Sequence, residues 1–143
     1  MKIEQLKKQD YESVLILWEK SVKVSHTFLK EQDFNIIKNA VMLSFKNISL
    51  YGIKRNCKLC GFVGTSHNQI EALFVDPSYF GQGLGKKLVA YAIKELNLKK
   101  VCVNEQNKKA YTFYGKMGFK FVSRDEFDFL NLHYPILHLE LQK

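Results

Sequence analysis

Two prolines, eight glycines and three cysteines in 143 residues leave several architectures without material. The chain has too little proline and glycine for a collagen-like or polyproline design. Three cysteines in a sequence with no export signal cannot build a disulfide framework, and reduced thiols are expected. The pair Cys57 and Cys60 has C-x-x-C spacing, but no second pair completes a zinc site and Cys102 stands alone. A redox motif would need a helix after the pair, whereas Gly61-Phe62-Val63-Gly64 has the pattern of a strand. Small residues on a hairpin are therefore expected, and no metal. Long apolar runs are missing too: Val14 to Trp18 is far short of a membrane span, and Met1-Lys2-Ile3-Glu4-Gln5 has no signal-peptide core. A soluble, cytoplasmic protein without a membrane role is expected. No repeat, linker or low-complexity tract interrupts the chain. One domain over residues 1–143 follows, with 46% hydrophobic residues to fill its core.

Negative charge is the scarcer sign, with 14 Asp and Glu against 22 Lys and Arg, for a net +8. Such a balance suits nucleic acid, and a small basic RNA-binding protein is the remote reading. Against it, the positive residues are spread along the whole chain, and most aromatics fall at core-like spacing. Basic groups also suit a polyanionic ligand. Lys86, Lys87, Lys108 and Lys109 stand at two helix starts, where phosphates would be met.

What is present in strength is the stretch from Leu73 to Val89. An apolar run ends at Asp76-Pro77, Gly81, Gly83 and Gly85 follow at alternate positions, and an apolar-periodic segment begins at once. A strand, a loop and a helix N-terminus in succession present N–H groups without partners, where the helix dipole favours an anion. Glycine keeps Cβ atoms out of the way and permits positive φ. Dinucleotide spacing fails, because Lys86 or Leu88 stands where the third glycine should be. P-loop spacing fails as well: Phe80 replaces the first glycine, and Lys87 follows Gly85-Lys86 in place of Ser or Thr.

The remaining pattern resembles the Arg/Gln-x-x-Gly-x-Gly/Ala signature of the Gcn5-related N-acetyltransferases, the GNAT family. Gly83 and Gly85 fill its small positions, and Phe80 departs from the usual Arg or Gln. A second signature, Asn-x-x-Ala-x-x-Phe-Tyr-x-x-x-Gly-Phe, is similar to Asn107, Ala110, Phe113, Tyr114, Gly118 and Phe119 at every position. Ser25-His26-Thr27-Phe28-Leu29, Val103 to Asn107 and Tyr134-Pro135 further resemble a subgroup of small bacterial acetyltransferases, the YjaB type.

The resemblance implies an α/β (α+β) GNAT fold: a mixed sheet with helices on both faces, in the order β-α-α-β-β-β-α-β-α-β-β. The periodicities place strands at 2–6, 48–54, 58–65, 69–75, 99–103, 119–124 and 133–141. Helices are expected at 10–24, 33–46, 83–96 and 107–117. Val14, Leu17, Trp18 and Val22 should line one helix. Ile36, Ile37, Val41 and Phe45 should line the next, with Asp33 as its cap.

For function, the resemblance implies direct acetyl transfer from acetyl-coenzyme A, as cosubstrate, to a primary amine in a ternary complex. The loop formed by Gly81, Gln82, Gly83, Leu84, Gly85 and Lys86 would hold the pyrophosphate. Phe74 and Val75 would bind the pantetheine arm between parted strands, with an oxyanion donor near Val75. Asn107 would touch the arm as well as cap a helix. Tyr114 is the expected general acid, since a phenol with a pKa of about 10 keeps its proton at neutral pH. For the general base, Glu71 and His26 stand as alternatives. Strand alternation puts Glu71 on a face with Leu73 and Val75, and the resemblance puts His26 in a connection that lines the acceptor site. The acceptor is a small-molecule amine or a peptide amine, and the enzyme a monomer or homodimer. A coenzyme A-binding module without catalysis is the second reading.

Overall fold

The structure, a computed structural model, describes residues 2–142; Met1 and Lys143, the ends of the expected 1–143 domain, lie outside the described residues. The elements run β1 (Ile3–Gln5), α1 (Tyr11–Ser25), α2 (Glu31–Ser44), β2 (Ser49–Arg55), β3 (Lys58–Ser66), β4 (Gln69–Val75), α3 (Leu84–Lys94), β5 (Lys100–Asn104), α4 (Lys108–Lys116), β6 (Phe119–Asp125) and β7 (Ile136–Leu141). This is the order that the sequence implied. The strands form one sheet in the order β1-β2-β3-β4-β5-β7-β6, and β4–β5 is its parallel pair. No helix among the described residues is long and apolar enough to cross a membrane.

The two apolar faces of the sheet carry different helices. On one, Val14, Leu17, Trp18 and Val22 of α1 pack with Leu50, Phe62 and Phe74. On the other, Leu84, Leu88, Val89 and Ala92 of α3 and Tyr114 of α4 pack with Ile53, Val63, Ile70, Val101 and Leu139. The spacing read for α1 is the buried face observed, as period 3.6 demands.

α2 departs from expectation. It starts at Glu31 with Lys30 at the cap position, and none of its residues is fully buried. Ile36, expected inward, is 50% exposed. Asp33 caps nothing: its Oδ2 accepts a hydrogen bond of 2.5 Å from the Tyr134 hydroxyl, which in turn accepts the Lys30 N–H at 3.1 Å. A side chain from the far end of the chain thus anchors the start of α2. The expected strand at 133–141 is shorter for the same reason, beginning at Ile136 once Tyr134 and Pro135 have been used as an anchor. Replacing Tyr134 by Phe leaves Asp33 and an amide without their partner in a half-dry site, worth about 1–3 kcal/mol. The expected result is a lower unfolding midpoint in denaturant, with faster amide exchange at Lys30.

Two irregularities in β4 position the site. Gly64 pairs with Ala72 but Thr65 pairs with Ile70, so Glu71 is an extra residue, a β-bulge. Ile70, Leu73 and Val75 therefore face α3, whereas Ala72 and Phe74 face α1. Glu71 does not share a face with Leu73 and Val75, as plain alternation had it. The bulge turns it to the α1 side. The second irregularity is the parallel pair itself. It holds only at Gln69–Lys100 and Ile70–Val101, after which β4 and β5 part.

Candidate active site

At the parting of β4 and β5, the chain after Val75 forms a bare-backbone loop. The buried Asp76 starts it. Burial would raise that carboxyl's pKa, but the Ser78 N–H at 2.9 Å and the Lys20 ammonium at 3.7 Å outweigh this and hold it low. Gly81 and Gly83 take φ of +80° and +78°, and a Cβ built on either meets nothing within 4 Å. Gly83 is the cap of α3 and offers no side chain to the first turn. The first bond that closes this helix is Lys87 N–H to Gly83 O at 3.1 Å. The N–H groups of Leu84, Gly85 and Lys86 precede it and have no backbone acceptor. A mouth of outward N–H groups on a positive dipole end, with open space where Cβ atoms would stand, fits a diphosphate. Lys86, Lys87, Lys108 and Lys109 are all exposed. Phe80, at the departing position, is 49% exposed.

The main chain of β4 supplies the next contacts. Asp76 N–H donates to Cys60 O at 2.8 Å, so that residue belongs to a hydrogen-bonded pair of the β3–β4 ladder. Such pairs alternate along an antiparallel ladder. Phe74, paired with Phe62, therefore spends its N–H and C=O on β3, while Val75 and Leu73 turn theirs toward the gap left by β5. The Val75 main chain, expected to meet a ligand, thus has its N–H directed into the gap. The Phe74 main chain, expected to meet the same ligand, is instead paired with β3, and its ring packs on Phe62, Trp18 and His26. Leu73 was missed, because ladder phase cannot be read without the partner strand.

Tyr114 lies in the same apolar cluster as Leu73 and Val75, its ring against Phe113 and Phe119 at 5.2 and 5.7 Å. Burial alone holds its phenol proton well above the usual tyrosine value. The hydroxyl makes no hydrogen bond among the described residues. Yet among the described residues no buried side-chain oxygen or nitrogen lacks a partner. The hydroxyl is thus not sealed in and is available to a ligand. Asn107 caps α4, its Oδ1 accepting from Ala110 N–H at 3.2 Å, which leaves its Nδ2 for other use.

Across the gap, on the α1 face, lies a cleft of about 660 Å³. His26, Glu71, Phe74, Cys102, Asn104 and Tyr134 line it, and α2 and the β6–β7 connection form its rim. Its ionisable walls combine three carboxylates with His26, His67 and His138. Glu71, Asp125 and Asp128 take part and no lysine or arginine does, in a chain that carries 22 of them. Glu71 Oε2 accepts from Ser66 Oγ at 2.7 Å and Gln69 Nε2 at 3.1 Å. His26 Nδ1 lies 2.6 Å from Ser25 Oγ. Burial pushes its pKa down to about 4, so the ring is neutral near pH 7. The unfolded chain binds this proton from about pH 6.5 downward, and the folded chain only near 4. Stability should therefore fall as pH drops through that window. Replacing His26 by Gln should flatten the fall, measured as urea midpoints between pH 4 and 7.

The sequence had no means of finding Asp125, Asp128 and His138, which come from the last two strands and their connection. Cys57, Cys60 and Cys102 are free thiols, and no group of three or more His, Cys, Asp or Glu among the described residues is placed to hold a metal.

A split parallel pair thus stands between a loop of bare N–H groups on one side and an open cleft on the other. The profile described as acetyltransferase (GNAT) domain matches residues 26–134. The peptidyl-lysine N-acetyltransferase YjaB of Salmonella typhimurium is 34% identical over 132 residues, 92% of this chain and 91% of that protein. YiaC of Escherichia coli, also named a peptidyl-lysine N-acetyltransferase, is 26% identical over 84% of each. The solution structure of apo YjaB from Escherichia coli superposes with a TM-score of 0.88 at 32% identity, over 97% of this chain and 95% of that one. A coenzyme A complex of the PaiA N-acetyltransferase from Thermoplasma acidophilum shares the fold, with a TM-score of 0.65 at 22% identity over 96% and 98%. The chain belongs to the GNAT acetyltransferases, and it is an N-acetyltransferase that depends on acetyl-coenzyme A.

Proposed function

We propose that this enzyme, a single acetyltransferase domain, acetylates lysine side chains of proteins or peptides in the cytoplasm by direct transfer within a ternary complex. The observation that carries the reading is the acceptor cleft. It is open at its rim, walled by aromatics, bordered by three carboxylates and free of lysine and arginine. A lysine side chain has a long apolar stem and a cationic tip, and both halves find partners there. The names of the YjaB and YiaC relatives support the same acceptor class. The three free thiols suit a reducing compartment.

In this reading the N–H groups of Gln82 to Lys86 hold the pyrophosphate of acetyl-coenzyme A. The main chain of Leu73 and Val75 aligns the arm in the manner of an added strand, with Asn107 Nδ2 as a further donor. The cosubstrate brings an activated thioester. Val75 N–H stabilises charge developing on its carbonyl oxygen, and Tyr114 gives its proton to the departing sulfur. Glu71 attracts the incoming ammonium. His26, neutral and packed on Phe74 and Phe28, walls its path.

The test is thiol release with a lysine peptide, with mass spectrometry to place the acetyl group. Modification on lysine Nε is expected, with a KM that rises with salt as the carboxylates are screened. Acetylation confined to free small amines would overturn the peptide acceptor. A protein that binds acetyl-coenzyme A without turnover on any amine would be the binding module instead.

A further inference from the structure

Four ionisable side chains stand in a row across the cleft face of the sheet: Glu71 on β4, Cys102 on β5, His138 on β7 and Asp125 on β6. Cys102 and His138 are direct cross-strand partners. Their neighbours Val101, Val103, Leu137 and Leu139 face the opposite core, so the row is a product of strand alternation. His138 is bonded at both ring nitrogens. Nε2 lies 2.6 Å from Asp125 Oδ2, and Nδ1 lies 3.3 Å from Cys102 Sγ. A carboxylate only accepts, so Nε2 carries the ring proton and Nδ1 offers its lone pair. Burial and the charges of Glu71 and Asp125 push the Cys102 thiol up to about 11, so it stays protonated and is a weak donor to Nδ1.

We propose that His138, its tautomer fixed by Asp125, is the base that takes the proton from the acceptor amine. The proposal rests on the acceptor-cleft reading above. The ammonium displaces the weak S–H contact. An N–H bond breaks, an Nδ1–H bond forms, and Asp125 balances the imidazolium charge. The freed amine lone pair attacks the acetyl carbon, a C–N bond forms, the C–S bond breaks, and the sulfur leaves with the proton of Tyr114. The nitrogen then gives up its second proton, which restores the Tyr114 phenol through solvent, and His138 returns its own proton to solvent through a ring that is 34% exposed. The two groups expected from the sequence are less suited. His26 holds its proton only near pH 4, and Glu71 Oε2 already serves two donors. Besides Cys102, Asp125 and Glu71, the titratable groups that share a groove with His138 are Lys100 of β5 and Glu140 of β7 on one side, and Asp128, His26 and His67 around the cleft on the other.

The experiment is the pH profile of kcat/KM with the amine acceptor for wild type, His138→Gln, Asp125→Asn, Glu71→Gln and His26→Gln. Isothermal titration of acetyl-coenzyme A on each variant reports folding and donor binding. His138→Gln should lose about 10²–10⁴-fold at neutral pH with unchanged titration. It should recover nearly tenfold per pH unit toward the lysine pKa of about 10.4, as the neutral amine becomes available without a base. Asp125→Asn removes a charge that favours the imidazolium, so the acid limb should move to lower pH, a shift that loss of packing alone does not produce. A His138→Gln profile parallel to wild type, or an acid limb that disappears only in Glu71→Gln or His26→Gln, overturns the proposal. A wild type active on small amines but not on peptides overturns the acceptor class instead, and the same profiles on that amine still decide His138. A wild type inactive on every amine overturns both.

Discussion

Tyr114→Phe should keep its fold and its affinity for acetyl-coenzyme A while losing about 10²–10⁴-fold in kcat, the usual contribution of a positioned proton donor. The separation is sharp because the Tyr114 hydroxyl makes no hydrogen bond among the described residues, so its removal strands no partner there. The ring remains, and with it the edge-to-face contacts to Phe113 and Phe119. Urea midpoints should therefore match wild type, and calorimetry should return the same dissociation constant. Only thiol release should collapse, most of all with acceptors that attack readily, where departure of the sulfur limits the rate. Burial holds the phenol proton high, so the acid stays loaded across the working pH range. If turnover is unchanged, another group protonates the sulfur and the assignment fails. If titration shows lost binding instead, Tyr114 is a wall of the donor site and not its acid.

Gly83→Ala should damage the donor site from the backbone. At φ of +78° an alanine pays about 1–2 kcal/mol for a left-handed conformation. No neighbour lies within 4 Å of the new methyl, so the penalty is conformational and not a clash inside the protein. The loop relieves it by rotating the N–H groups that precede the first helical bond, the same groups proposed to hold the pyrophosphate. The expected result is an acetyl-coenzyme A dissociation constant at least tenfold weaker, with a modest fall in stability. Gly85→Ala is the contrast. That residue is not at positive φ, and its Cβ would meet Phe113 and Val75 at 3.7 to 3.9 Å, ordinary packing distances. Its stability should barely change, in keeping with a motif position that takes Gly or Ala. Equal donor affinity in Gly83→Ala and wild type would show that the pyrophosphate lies elsewhere.

The elements read from the sequence were those whose signals are local. β4 was bounded correctly at 69–75, and α4 begins after Asn107, whose side chain caps it as expected. α2 was misjudged because its start is fixed by Tyr134, more than a hundred positions away. The same holds inside the site. The glycine loop at the start of α3 and Tyr114 on the buried face of α4 lie where their motifs put them, because each short run encodes its own local geometry. Glu71 was found, but on the wrong face, since one inserted residue in a ladder reverses every later side chain. His138 and Asp125 carried no local signal at all.

By itself the sequence determined the class of protein, because the glycine loop before α3 and the Asn107-to-Phe119 segment are each built from a short run of chain whose conformation depends on its own glycines, cap and apolar spacing. Tertiary structure alone decided the cleft on the α1 face. The parting of β4 from β5, the bulge that turns Glu71 and the row from Cys102 through His138 to Asp125 all arise from strand pairing between distant segments. Pairing register is a property of two strands at once, and no single stretch of sequence holds it.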